Sequence, residues 1–177
     1  MGKHTLESWD IEMLPLELTV SATPGITRRI KSREDKRKET PMKKGNEWQY
    51  DVSGAIVEMA LAKALNVYWV PSVDTFKLPD VGSNIQVRST SLDGGKLIVR
   101  ARDNPKEIYV LGIEKTPIVS FRGWIWGSEA KQDEHWFNPN NGMPGAWFVA
   151  QNKLRDMNEL KTTLEQIRSI TLGKEGE

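Results

Sequence analysis

The stretch Pro79–Thr90 holds residue types that could act on a phosphate group. Asp80 lies in a turn rich in Gly, Ser and Asn, and Ile85–Thr90 then alternates apolar and polar side chains, as a half-buried strand does. Gln86 and Arg88 are two positions apart, so they share the more polar face of that strand. If the turn folds Asp80 back towards them, an acid, an amide oxygen and a cation converge. That set suits a divalent metal ion and a phosphate.

A plain structural strand explains the same hexapeptide, because polar side chains are ordinary on a half-exposed face and short motifs need context. The nearest context is Asp51–Asn66, which is rich in small and helix-forming residues and predicts a helix with Asp51 or Ser53 as its N-cap. Glu58 lies inside this helix, and the residues four positions away on either side carry no charge. Its carboxylate therefore points either to solvent or to a group that needs it.

Residues 28–44 form a basic run, with nine Lys or Arg against three acids in a chain of net charge +1. The pattern is typical of a helix end followed by a loop. One interpretation is a solvated face, and the other is an arm that contacts nucleic-acid phosphates by charge. The residues predicted to contact nucleic acid are Arg28, Arg29, Lys43, Lys44 and, from the strand above, Thr90.

Composition narrows the classes of protein and of site. The chain has no cysteine, so it has no disulfide, no Cys-based zinc site and no cysteine nucleophile. Its two histidines, His4 and His135, make a multi-His metal site a poor expectation. No apolar run resembles a membrane span or a signal peptide, so we expect a cytoplasmic location without membrane contact. The seven tryptophans are expected mostly in the core, with some available as platforms for base stacking.

The remaining pattern predicts an α/β fold with a mixed central sheet. We expect 1–48 to form an N-terminal helical and basic arm, 49–172 an α/β core, and 173–177 a frayed tail. The turn at Asp93–Gly95 predicts a hairpin between Ile85–Thr90 and Lys96–Ala101. Other predicted elements are a helix from Pro15, a short strand or extended entry at 67–70, strands at 108–113, 118–126 and 147–150, and a helix at 154–170.

The order of a helix with an embedded Glu, a turn Asp, a strand with Gln-x-Arg and then further strands resembles the PD-(D/E)XK nuclease superfamily. That family carries an acid on the first core helix, a Pro-Asp or lone Asp at a strand start, and Glu/Asp-x-Lys on the next strand. The matching residues here are Glu58, Asp80, Gln86 and Arg88, within about 51–101. Gln86 replaces the usual acid and keeps a ligand oxygen. Arg88 replaces the usual Lys; it keeps the charge but is a poor base.

The resemblance implies a restriction-endonuclease-like core and metal-dependent hydrolysis of DNA phosphodiesters, as in a phage or mobile-element nuclease. It implies Glu58, Asp80 and Gln86 as ligands of Mg²⁺ or Mn²⁺, with Arg88 completing the catalytic set. DNA is then the expected partner, and a homodimer or a host protein is left open. The alternative is a degenerate nuclease fold that binds nucleic acid, or a host protein through the Trp-rich segment 124–147, without turnover.

Overall fold

In the computed structural model the chain forms helices and two β-sheets, a mixed α/β architecture. The structure describes residues 9–35, 45–71, 73, 78–140 and 142–174, with the helical backbone alone for 170–174. Within these residues the helices are α1 (Pro15–Glu34), α2 (Glu47–Ala64), α3 (Gly127–Ala130) and α4 (Met157–Lys174), and the strands are β1 (Trp9–Glu12), β2 (Ile85–Thr90), β3 (Leu97–Val99), β4 (Ile108–Lys115), β5 (Ile118–Trp126), β6 (Trp136–Phe137) and β7 (Ala146–Val149).

Helix α1 begins at Pro15, as predicted, because a proline suits the first helical turn. The Leu14 N–H donates to the Glu17 carboxylate at 2.7 Å and satisfies one of the donors at the helix start. The helix continues through Pro24 to Glu34, so the first part of the basic run is helical.

Helix α2 lies between α1 and the larger sheet. It starts at Glu47, four residues before the predicted N-cap, and the cap prediction for Asp51 and Ser53 is wrong because both lie within the helix. The Ser53 hydroxyl instead donates to Glu114 on β4 at 3.0 Å. Two glycines allow close packing. A Cβ at Gly25 of α1 would lie 2.6 Å from the α2 backbone, and one at Gly112 of β4 would lie 2.4 Å from the Val57 side chain.

The larger sheet has the strand order β1-β5-β4-β2 and is mixed, as the sequence predicts. The strands predicted at 108–113 and 118–126 are β4 and β5, which form an antiparallel hairpin, and β1 adds antiparallel to β5. β2 pairs parallel to β4, with Ile85 opposite Ile108, and its other edge carries no strand of the described chain. The predicted N-terminal arm thus supplies β1 to this sheet and α1 to its helical cover.

The predicted hairpin between β2 and β3 is wrong. β3 belongs to a second sheet of order β3-β7-β6, in which Leu97 pairs with Val149 and Val99 with Trp147. The Arg88 guanidinium lies between the two segments and donates to the Ile98 carbonyl at 3.2 Å, so a side chain rather than a backbone ladder joins them. Alternation of side chains identifies a strand correctly but does not select its partner.

Two apolar clusters lie on opposite faces of the larger sheet. Ile85 and Val87 of β2 pack with α2 in the first cluster, which α4 also joins through Met157 and Leu160. Tyr109, Leu111 and Ile113 of β4 pack with β3 and β7 in the second. The sheet therefore separates an α2 face from a β3 face, and β2 forms its free edge.

The other predictions are confirmed in part. The predicted strand at 147–150 is β7, and the predicted C-terminal helix is α4, which begins at Met157 rather than Leu154 because Gln151–Lys153 forms a separate 3-10 turn. Residues 67–70 form no strand in the structure. No helix of the described residues is both long and apolar enough to cross a membrane.

Candidate functional site

Glu58 lies buried in α2, with 6% of its surface exposed, and does not point to solvent. Arg28 of α1 donates from Nη1 to one of its carboxylate oxygens and from Nη2 to the other, both at 2.7 Å. Such a fork is the strongest common geometry for an Arg–carboxylate pair. Burial lowers the pKa of Arg28, but the hydrogen bonds and charge of Glu58 outweigh it and hold that pKa above its ordinary value.

Asp80 sits at the free edge of β2. The Asp80 N–H and the Val81 N–H both donate to the Ile85 carbonyl, at 2.9 and 3.1 Å, and this tight turn brings the side chain back over the strand. Gly82 supplies the left-handed backbone the turn needs, with φ of 61°. The Asp80 carboxylate then accepts the Val87 N–H at 2.8 Å. Asp80 is therefore bonded to the strand beyond its own turn.

The two carboxylates, Glu58 and Asp80, are electrostatically coupled. Burial first, and then the negative charge of Glu58, together raise the pKa of Asp80 to about 6. The Val87 N–H, Arg88 and Arg28 act in the opposite direction. The two acids thus lie within electrostatic range of each other although they are 22 positions apart in the sequence.

Arg88 occupies the β3 face rather than the α2 face. Its Nη2 donates to the Asp103 carboxylate at 2.8 Å, its Nη1 to the Val87 carbonyl at 3.0 Å, and its guanidinium stacks 5.0 Å from the centre of the Tyr109 ring. Its charge still lowers the pKa of Asp80, so Arg88 lies within electrostatic range of that carboxylate. Arg88 therefore approaches Asp80 around the edge of β2, and not from the side of Glu58.

Gln86 alternates with Ile85 and Val87 and so lies on the same face as Arg88. Its side-chain nitrogen donates to the Leu78 carbonyl at 3.3 Å, which holds the side chain at the segment leading into the Asp80 turn. The amide oxygen has no described hydrogen bond. The structure thus places both Glu58 and Arg88 within electrostatic range of Asp80, and it holds Gln86 beside the segment that leads into the Asp80 turn.

The residues predicted to contact nucleic acid are dispersed. Arg28 is committed to Glu58, with 21% of its side chain exposed. Arg29 is 2% exposed and faces Asp51, with Nε 3.5 Å from a carboxylate oxygen, because it points from α1 into α2 instead of outward. The Thr90 hydroxyl accepts the Leu92 N–H at 3.2 Å. Lys43 and Lys44 lie outside the described residues.

Sequence reasoning did not identify two partners. The basic run predicts a phosphate contact for Arg28, whereas the structure pairs it with Glu58; its place one turn after Gly25, where α1 packs closely on α2, is the available signal. No pattern in the sequence links Asp103 to Arg88. In the described residues no group of three or more His, Asp or Glu is arranged to hold a metal ion.

Comparison with protein-family models, with curated proteins and with solved structures gives no match to this chain. The functional argument therefore rests on the residues and their geometry.

Proposed function

We propose that this protein is a metal-dependent phosphodiesterase acting on DNA, built on a restriction-endonuclease-like core. The observation that carries the proposal is the electrostatic coupling of Asp80 to Glu58: the buried Glu58 carboxylate lies close enough to Asp80, at the edge of β2, for its charge to help raise the pKa of Asp80 to about 6. Buried like charges are costly, and raised pKa values of this kind concentrate at functional sites. A divalent cation between them would relieve their repulsion.

The donor set fits Mg²⁺ or Mn²⁺. Mg²⁺ is usually bound through one or two carboxylates and keeps several waters, so two acids are sufficient. Each carboxylate oxygen has two lone pairs, and the Arg28 fork and the Val87 N–H use only one at each oxygen they contact. Glu58 and Asp80 would hold the ion, with the amide oxygen of Gln86 as a neutral ligand. When bound, the ion supplies polarisation of the phosphate and a water of lowered pKa.

The side chains of the protein have separate tasks in this proposal. Near neutral pH Asp80 is mostly ionised and able to bind a cation, because its pKa is about 6. Arg88 stays charged and would neutralise the phosphate, as a bidentate donor, if it releases Asp103. Arg28 would share Glu58 with the cation, and in the metal-free protein it balances one of the two negative charges.

One observation favours a second function, a nuclease-like fold that binds nucleic acid without cleaving it. Both cations of the region are already paired, Arg28 with Glu58 and Arg88 with Asp103. An Arg that neutralises the acid pair does in part what a metal ion would do, and neither Arg is a competent base. In this second reading the ion pairs are permanent and the metal is dispensable.

A metal titration separates the two functions. Thermal unfolding of the wild type is recorded in EDTA and in increasing Mn²⁺, beside Asp80→Asn, Glu58→Gln and the control Asp10→Asn, which removes an exposed acid of β1. We expect Mn²⁺ to raise the melting temperature of the wild type and of the control but not of the two site variants, because ligands that bind only the folded state stabilise it by mass action. Cleavage of single- and double-stranded DNA should likewise be present in the wild type and the control and lost in the two site variants.

Equal responses of all four proteins to Mn²⁺ would contradict the metal site. Mn²⁺ binding at Glu58 and Asp80 without any DNA cleavage would reject the first function and favour the second, which is nucleic-acid binding without cleavage.

A further inference from the structure

The turn from Arg100 to Asp103 is surrounded by cations. The Asp103 carboxylate accepts both the Arg88 Nη2 and the Arg100 backbone N–H, at 2.8 and 2.9 Å, so this one acid organises the turn. From the other side Lys131 donates to the Ala101 carbonyl at 3.0 Å and to the Asp103 carbonyl. We call Arg88, Arg100, Arg102 and Lys131 the basic cluster.

The basic cluster carries more positive charge than its surroundings neutralise. Asp103 pairs with Arg88, and the nearby Glu107 accepts a hydrogen bond from the side-chain amide of Asn104. Within the described part of the chain no carboxylate forms an ion pair with the other three cations of the cluster. Burial lowers the pKa of Arg100, and the charges of Arg102 and Arg88 lower it further. An anion placed here would relieve a repulsion that already exists.

An aromatic surface adjoins the basic cluster. The Lys131 ammonium lies 5.4 Å from the centre of the Trp147 ring, and the Trp136 ring stands edge-on to Trp147 with a centroid distance of 4.8 Å. Trp136 is 46% exposed and its neighbour Phe137 is 55% exposed, on β6 at the edge of the smaller sheet. Lys131 thus contacts the cationic turn and also lies over the partly buried Trp147 ring, against which the exposed Trp136 ring packs.

We propose that the basic cluster and Trp136 together bind a single-stranded nucleic acid, with phosphates at the turn and a base stacked on Trp136. Cations that follow a backbone beside aromatic platforms are the usual means of binding unpaired strands. A duplex hides the faces of its bases and could use only the cations. That the bound strand is the substrate rests on the proposed function, because Arg88 lies within electrostatic range of Asp80. The binding itself does not depend on metal.

The test measures binding without cleavage. Fluorescence anisotropy of a labelled 12-nucleotide DNA strand and of the matching duplex is recorded in EDTA over a range of salt. The variants are Arg102→Gln with Lys131→Gln, Trp136→Leu, and the control Lys161→Gln. Lys161 lies 4.6 Å from the centre of the Trp9 ring, on the β1 side of the larger sheet, so it matches Lys131 in chemistry but not in place.

We expect the double variant to reduce the slope of log affinity against log salt by about 0.7 for each lost phosphate contact. Trp136→Leu should weaken binding of the single strand about tenfold, as loss of one stacked base does, and leave the slope of log affinity against log salt unchanged. Lys161→Gln should bind like the wild type. Melting curves of each variant establish that it is folded.

Three results would overturn the inference. The first is a loss of affinity for the strand in Lys161→Gln as large as in the double variant, and the second is a duplex bound as tightly as the strand together with an unchanged affinity in Trp136→Leu. The third is no binding of either the strand or the duplex, which would leave a protein partner as the occupant of this surface. The variant Asp80→Asn distinguishes failure of this inference from failure of the proposed function. If Mn²⁺ and cleavage results reject the proposed function but Asp80→Asn and the wild type bind the strand equally, the inference stands as binding alone.

Discussion

Two arginine–carboxylate pairs lie on opposite faces of the same sheet, and their surroundings have opposite charge. Arg28 and Glu58 meet on the α2 face at 2.7 Å, and Arg88 and Asp103 meet on the β3 face at 2.8 Å. The first pair has a further carboxylate beside it, Asp80, whose pKa Glu58 raises. The second has further guanidinium groups beside it, and their charge lowers the pKa of Arg100.

The comparison shows that an ion pair by itself does not define a site. Each pair is nearly neutral, so the local potential is set by the groups that remain around it. An excess carboxylate favours a bound cation, and excess guanidinium groups favour a bound anion. The free edge of β2 brings the two regions together, since Asp80 and Arg88 approach each other around it.

Arg28→Ala should break the first pair and give the largest effect. It leaves Glu58 buried without its partner beside Asp80, and removing one member of a buried pair costs about 3 kcal/mol or more of the free energy of unfolding. We expect this loss in urea unfolding at neutral pH in EDTA, and a smaller loss near pH 5, where Asp80, whose pKa is about 6, holds a proton and no longer repels Glu58.

Mn²⁺ should restore more stability to Arg28→Ala than it adds to the wild type, because the metal ion replaces the missing charge. The double variant Arg28→Ala with Glu58→Gln serves as the control and should recover part of the loss. If Arg28→Ala unfolds like the wild type, the pair is not desolvated and the contrast between the two faces is lost.

The pH dependence of stability should identify Asp80 next. Its pKa is about 6 in the folded protein against 3.8 for a free side chain, so between these values the folded state holds a proton that the unfolded state has released. Stability from this group is complete below about pH 4 and falls as the pH rises through 6, by roughly 2 to 3 kcal/mol. Urea unfolding of the metal-free protein at several pH values measures the fall.

Asp80→Asn should remove that fall and be more stable than the wild type near pH 7, since the amide oxygen still accepts the Val87 N–H. The matched variant is Asp10→Asn, which should keep the pH dependence of the wild type. Parallel curves for the wild type and Asp80→Asn would mean that the pKa of Asp80 is not raised in the folded protein.

The elements were predictable where local pattern decides the outcome. Pro15 begins a helix, and residues 108–113 and 118–126 lie in strands, because each of these outcomes depends on a few adjacent residues. The partner of β3 was not predictable, since Leu97–Val99 alternates correctly for either sheet. Its position depends on burial in the second cluster and on the side chain of Arg88, both of which require the folded chain.

The candidate site divides in the same way. The sequence indicates Glu58 because it is a carboxylate within a helix of small and apolar residues. It indicates Asp80 because this acid lies in a turn directly before a strand. The proximity of Glu58 and Asp80 depends on how α2 packs on β2, and the partner Arg28 depends on how α1 packs on α2 near Gly25. No spacing in the sequence expresses either contact. Arg88 was correctly placed on a polar face, but the face proved to be the one away from Glu58.

Arg88→Ala should reduce the free energy of unfolding less than Arg28→Ala does, which would sharpen the contrast between the two faces of the sheet. Asp103 keeps the Arg100 N–H after the loss, and removal of Arg88 relieves the repulsion on Arg100. The side chains of the Arg88–Asp103 pair are also more exposed than Glu58, so the loss should be about 1 kcal/mol in urea unfolding. A loss as large as that of Arg28→Ala would mean that the two faces are equally desolvated.

Gln86→Glu should give the smallest change in the metal-free protein and is informative only with metal. The substitution removes the donor to the Leu78 carbonyl, a long hydrogen bond of 3.3 Å, so the loss of stability should be about 0.5 to 1 kcal/mol.

With Mn²⁺ a third carboxylate at this end of β2 should tighten Mn²⁺ binding, because affinity for hard cations rises with the charge of the ligands. Calorimetric titration of Mn²⁺ into both proteins measures this, and Gln132→Glu, an exposed position whose amide nitrogen also bonds a backbone carbonyl, is the control. Unchanged Mn²⁺ affinity in Gln86→Glu would mean that residue 86 stays on the face of Arg88, and that the metal would have only Glu58 and Asp80 as ligands from the protein.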